Sequence, residues 1–292
     1  MLFLPLFTSI CWSLTPYFFA EAQNRIGVNQ LNTDRLLFAS IILFFLSLFF
    51  ASDFNITLLQ YFFIALSGLI GLVCGDYFLF TSFRKIGPRY SSVMMSLAPI
   101  FTCIGAIFLF DENIGIIGFF GIIITISGII IVVSRTTSQK KEKQYIKPSK
   151  LIFGILGALG QSLGILCVKQ AYCFGELSGM SATFFRISAS AGMILLWLLL
   201  LRKYKNPVIV YKNDKSALKY VLLGTIFGPV LGVTSSIISL EYVPVSIAQT
   251  LFSTSPIFML PISHFIMRDR VNIRAIIGVV VVIIGIGLLT MF

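Results

Sequence analysis

At 292 residues, with 57% hydrophobic content and a mean hydropathy of +0.97, the chain is too apolar for a soluble globular protein. Its formal charge of +11 would suggest a nucleic-acid binder in a soluble chain. Here the basic residues cluster between apolar runs, so they read as topology signals, and nucleic acid is excluded as a partner.

The apolar runs follow one another with short polar breaks, each long enough to cross roughly 30 Å of hydrocarbon. Ten helices are predicted, near 2–23, 35–52, 58–83, 89–110, 114–134, 151–173, 178–201, 217–240, 244–266 and 271–291. Most breaks are as short as Asp111-Glu112-Asn113 or Glu241-Tyr242-Val243-Pro244, which makes neighbouring helices antiparallel hairpins. Two polar stretches are longer, a Lys-rich one at 135–150 and another at 202–219. The first is the expected linker between two halves, 1–134 and 151–292. The first twenty residues lack a charged n-region and a cleavage motif, so they are expected to be a span of the mature protein.

Charge predicts the orientation. The odd-numbered loops and their flanks, from Arg25 and Arg35 to Arg268, Arg270 and Arg274, hold 20 of the 22 Lys and Arg. The even loops and both termini hold none, and Lys169 and Arg186 fall inside spans. The positive-inside rule then places the odd loops in the cytoplasm and both termini outside.

The halves repeat each other at an offset of 157 residues. Ser96-Leu97-Ala98-Pro99-Ile100-Phe101 returns as Ser253-Thr254-Ser255-Pro256-Ile257-Phe258, and Gly75, Gly121 and Gly128 match Gly232, Gly278 and Gly285. Five helices per copy is an odd number, so the copies cross the membrane in opposite senses. The corner Asp111-Glu112-Asn113 accordingly becomes Arg268-Asp269-Arg270. The expected fold is an all-α integral membrane protein of ten transmembrane helices in two inverted five-helix repeats. Helices broken at matching points in two halves point to a binding site at the repeat interface. Pro99 and Pro256, which remove backbone donors there, are the candidate gating residues.

Glycines 68, 71 and 75, then 154, 157 and 164, then 224, 228 and 232 form stripes that let helix backbones approach closely. Packing alone explains such stripes, although sliding of the helices during function is the alternative.

A charge within a span defaults to a functional hypothesis. Asp76 lies about two helical turns inside the membrane from Arg84-Lys85 and is too short to reach the headgroups. It is a substrate-amine contact, a proton-coupling acid or one half of a structural interhelical pair. Lys169 either reaches outward to the headgroups or holds an anionic group, and Arg186 is either an anchor comparable to Arg35 or an anion ligand. Trp12, Tyr17, Gln161, Thr234 and Gln249 supply aromatic and polar candidates for a cavity wall, with Pro16 and Pro229 as further helix breaks. A Ser or Thr in a membrane helix usually bonds its own backbone, which is the bland reading of Thr234. His264, the single histidine, reads as a solvated interfacial side chain. The five cysteines fall in apolar spans without disulfide or zinc spacing. No HExxH, nucleophile elbow or P-loop is present, so no enzyme activity, cofactor or metal is expected.

The phrase from Tyr90 to Phe101, followed by Asp111-Glu112-Asn113 and by Gly121 and Gly128, resembles the EamA-type drug/metabolite transporter superfamily. The second copy repeats the pattern with Gln249 to Pro256, Gly278 and Gly285. The resemblance implies a basket in which helices 1, 3, 4, 6, 8 and 9 surround a cavity and helices 5 and 10 support it from behind. It places Trp12, Tyr17, Asp76, Met94, Ser96, Pro99, Gln161, Lys169, Thr234, Gln249 and Ser253 on cavity-forming helices. Members are often drawn with both termini in the cytoplasm, opposite to the charge count here.

The sequence therefore predicts a secondary transporter. It is expected to move a small amino-acid-like or related polar or amphiphilic metabolite by alternating access across a plasma membrane of the bacterial inner-membrane type. Its expected partners are that small-molecule solute, protons as a candidate co-substrate, and membrane lipids, in a monomer or homodimer. The rival readings are a membrane-embedded lipid- or isoprenoid-processing protein, a flippase, and a sensor without transport.

Overall fold

The computed structural model describes residues 2–50, 54–95, 97–112, 115–134, 148–255, 257–259 and 273–289. Ser96 and Pro256, half of the repeated motif, lie outside the described residues, as do His264 and the linker stretch 135–147.

The described residues form helices and no strand. Helix α1 (Phe3–Ile26) ends at Gly27, whose φ of 85° an L side chain rarely adopts, and α2 (Val28–Phe50) starts at once. A single apolar span, Leu58–Gly87, follows. It comprises α3 (Leu58–Ser67), a π-helical segment (Gly68–Gly75) and the start of α4 (Asp76–Met95), which breaks at Gly87 with φ 83°. After α5 (Ala98–Phe110), Asp111 turns the chain in a left-handed conformation into α6 (Gly115–Ser134). The second half holds α7 (Pro148–Tyr172), α8 (Gly179–Leu200), a short α9 (Pro207–Asn213) and α10 (Lys215–Thr225). A second π-helical segment (Ile226–Val233) leads into α11 (Thr234–Ser239), then α12 (Val245–Phe252) and α13 (Ile273–Leu289). Among the described residues, six helices are long and apolar enough to cross a membrane, and three shorter apolar ones accompany them.

Two predicted boundaries are corrected. Helix α2 begins at Val28, so the polar run Asn29 to Arg35 lies within the helix, where Gln30, Asn32, Asp34 and Arg35 each bond to another element. Asn32, for example, donates to the Val73 carbonyl at 3.2 Å. Arg35 therefore leaves the set of loop charges: it is buried well inside the bundle. The polar stretch 202–219 contains a helix, α9, opened by Pro207 and capped by the Asn206 side chain, which accepts from the Val208 N–H at 2.9 Å.

The first helix of each half packs against the other half. Helix α1 lies on α10, α11, α12 and the second π segment, and α7 lies on α3, α4, α5 and the first π segment. Glycine decides how closely these surfaces approach. A Cβ on Gly160 would lie 2.7 Å from the Gly75 Cα, and one on Gly164 would lie 3.0 Å from the Gly71 Cα. Behind them, α6 and α13 meet through the repeated glycines. A Cβ on Gly128 would strike the Gly278 carbonyl, and one on Gly285 would strike the Gly121 carbonyl, so the two helices run antiparallel.

Candidate functional site

A cavity of about 150 Å³ lies where α1, α4, α7, α12 and the two π segments converge. A water needs about 10–15 Å³ of such volume, so the space suits a small solute. Each π segment contributes to the wall, and its wider turns leave carbonyls that accept a side-chain donor as well as a backbone N–H. In the first, the Leu72 carbonyl accepts from Arg35 at 3.2 Å and the Gly71 carbonyl accepts from Gln161 Nε2 at 3.3 Å.

Asp76 follows that segment immediately and sits on the cavity wall. Arg35 Nη2 donates to its Oδ2 at 2.5 Å, and Gln161 Nε2 donates to its Oδ1 at 2.5 Å. The Arg35 guanidinium is completed by Asn32 Oδ1 and by the faces of Phe80 and Phe19, at 4.9 and 5.6 Å from the ring centroids. Both charges are thus bonded on nearly every side, which is what makes a buried ion pair tolerable in this setting. Arg186, 1% exposed, adds a second positive charge close to Asp76, and its Nε and Nη2 have no hydrogen-bond partner among the described residues. Its head occupies the space that glycine leaves: a Cβ on Gly71 would lie 2.8 Å from Nη2.

The opposite wall is α12. Gln249 lines the cavity with its Oε1 buried and without a hydrogen-bond partner among the described residues, and Ser253 lines it one turn further on. Trp12, which stacks edge-on with Phe252 at 5.5 Å, and Phe19 complete an aromatic surround with Phe80 and Phe83.

Of the residues singled out in the sequence, the structure gathers Trp12, Asp76, Gln161, Gln249 and Ser253 around this cavity. Tyr17 instead packs its ring against Phe18 and Tyr220. Lys169 donates to the Leu240 carbonyl at 3.0 Å and closes the end of α11. Thr234 is buried with its hydroxyl unpartnered among the described residues and does not line the cavity, and Pro99 is buried in the first turn of α5. Sequence reasoning missed Arg35, counted as a loop charge, and the phenylalanine walls. Gly27 was the available signal for Arg35, because a helix stop there puts residue 35 two turns inside the next helix.

The far end of the bundle from Arg25 and Lys85 is tied across the halves. Glu112 accepts from the Val245 N–H at 2.7 Å and the Ser246 hydroxyl at 2.5 Å, and so caps α12. Within the second half, Glu241 accepts from the Gly179 N–H at 2.6 Å.

The sequence model of the EamA-like transporter family matches the chain twice, over residues 1–134 and 148–291. The chain belongs to the EamA-like transporter family. A solved crystal structure superposes on 99% of this chain and 96% of its own, with a TM-score of 0.76 at 14% identity, which shows a shared fold. No curated protein sequence matches the chain. An EamA-like protein is a membrane transporter of the drug/metabolite type, and the multi-pass helical body agrees with that.

Proposed function

We propose that this EamA-like protein is a secondary transporter that carries a small amphiphilic metabolite across the plasma membrane by alternating access. The observation that carries the reading is the cavity itself. It joins an ion pair, an open amide and an aromatic wall between helices contributed by both halves. Trp12 and Phe252 would stack on the apolar part of the solute, Gln249 and Ser253 would bond its polar part, and Asp76 with Arg35 and Gln161 would supply the charge-sensitive wall.

The halves are ten helices in two inverted repeats in this proposal. The reciprocal contacts of Gly128 with Gly278 and of Gly285 with Gly121 support it, because a two-fold relation between copies requires such exchange. Each moving unit then contains the other half's first helix: α1 travels with α10–α12, and α7 with α3–α5. Glu112 on the α12 terminus is the contact that opens when the far side is exposed.

A thermal-shift screen of purified protein against amino acids, nucleobases, nucleotides and sugar phosphates tests the reading, followed by counterflow in proteoliposomes. A stabilising solute that also exchanges across the membrane supports it. No stabilisation together with no counterflow for any class overturns it.

A further inference from the structure

One segment is built unlike the other connections. From the end of α8 into the first turns of α10, Arg202, Lys203, Lys205, Lys212, Lys215 and Lys219 are all exposed. The one acid in this stretch, Asp214, is engaged by Arg25 at 3.1 Å and by the Ala217 N–H at 3.0 Å. Helix α9 lies in the middle of this charge. Val208 and Ile209 are 72% and 59% exposed, although they lie outside every apolar span. The same helix turns Val210 and Tyr211 inward onto a core of Phe19, Leu31, Phe80 and Ala217. Apolar tips ringed by exposed cations at the basic end of a membrane bundle match the chemistry of an anionic lipid surface.

The inward face is fastened to α2. The Tyr211 hydroxyl donates to Asp34 Oδ2 at 2.5 Å and the Tyr204 hydroxyl to Asp34 Oδ1 at 2.7 Å. Gln30 exchanges both of its polar atoms with the Lys205 backbone at 3.1 Å while also donating to Asp34. Asp34 is 1% exposed and is the neighbour of Arg35, whose guanidinium sits on the cavity wall. Displacing the segment therefore displaces the part of α2 that holds the ion pair.

We propose that the 202–219 segment docks through Val208, Ile209 and its surrounding lysines on anionic phospholipid headgroups, and that the Asp34–Tyr204–Tyr211 bonds transmit this docking to the cavity-forming helix α2. The contact is distinct from solute binding and can fail or hold independently of it.

The test uses the purified full chain in neutral detergent micelles, titrated with phosphatidylglycerol or with phosphatidylcholine of the same acyl chains. Phosphatidylglycerol should raise the melting midpoint and phosphatidylcholine should not. Replacing Lys203, Lys205, Lys212 and Lys215 by Gln should weaken the phosphatidylglycerol response roughly fivefold per lysine, and added salt should do the same. Val208→Ser with Ile209→Ser should weaken it with the charges intact. Tyr211→Phe keeps the packing and the lysines; it should still bind the lipid, measured by native mass spectrometry, while losing most of the stabilisation. Glycerol phosphate, a headgroup without chains, should not substitute. An equal response to both lipids, or an unchanged response in the lysine variant, overturns the docking surface. Full stabilisation in Tyr211→Phe overturns the coupling.

Discussion

The two π-helical segments share a backbone device and differ in what completes it. In Gly68–Gly75 three carbonyls accept bonds from side chains of other helices: Val73 from Asn32 and Leu72 from Arg35 of α2, and Gly71 from Gln161 of α7. In Ile226–Val233 the side-chain bonds are local, from the Ser235 hydroxyl to the Leu231 and Gly232 carbonyls and from the Ser236 hydroxyl to that of Val233. The first segment leads into Asp76, a carboxylate in an ion pair, and the second into Thr234, a hydroxyl without a partner. Equivalent bends thus serve one charged, cross-braced wall and one apolar wall that receives Trp12, Thr15 and Phe19 against its glycines. The cross-braced half resists change and the self-satisfied half tolerates it.

The largest effect should come from breaking the brace. Arg35→Ala leaves a buried carboxylate without its cation and should cost about 3–5 kcal/mol, read as a fall in the melting midpoint of detergent-purified protein. Removing both charges, Arg35→Gln with Asp76→Asn, should recover most of that stability but not transport. Asp76→Asn alone should fold and fail in transport or lose its pH dependence. Normal transport at every pH in that variant would remove Asp76 from the mechanism.

The next effect is steric. Gly160→Ala places a methyl 2.7 Å from the Gly75 Cα and should destabilise by about 1–3 kcal/mol. Gly192→Ala, where nothing lies within 4 Å, is the control and should be neutral or slightly stabilising. Equal midpoints for the two variants would deny that the contact of α7 with the first π segment is set by backbone approach.

In the tolerant half, Thr234→Val removes a buried hydroxyl that has no partner, so stability should hold or rise by about 1 kcal/mol. A rise accompanied by lost transport would show that the hydroxyl serves the solute.

The smallest effect lies at the surface. The Ala217 N–H and Arg25 hold the Asp214 carboxyl below its ordinary 3.8. Its contribution is complete above that ordinary value and is lost as pH falls through the lower folded value. Asp214→Asn should therefore change the melting midpoint slightly at neutral pH and not at all in strong acid.

Much of the site was legible because a charge inside an apolar run has few innocent explanations. Asp76 stood out that way, Gln161 entered as one of several polar wall candidates, and the doubled Ser-x-x-Pro phrase marked matching points in both halves. Arg35 escaped because polar residues beside a turn read as loop, and only the carbonyls of the facing π segment reveal that Asn32 and Arg35 are inside. The π segments escaped too: their glycines were visible as a packing stripe, whereas the altered hydrogen bonding depends on neighbours that offer donors. Helix α9 was hidden in a polar stretch whose periodicity covers only seven residues.

The sequence by itself determined the membrane class, the two related halves and the glycine contacts, since each follows from local hydropathy and from residue spacing along one chain. The tertiary structure alone decided the partner of each buried charge. Asp76 meets Arg35 and Gln161 at separations of 41 and 85 residues, while Asp34, beside Arg35, turns instead to Tyr204 and Tyr211. An ion pair becomes affordable in such surroundings only when several helices converge to solvate it, and no single stretch of sequence carries that convergence.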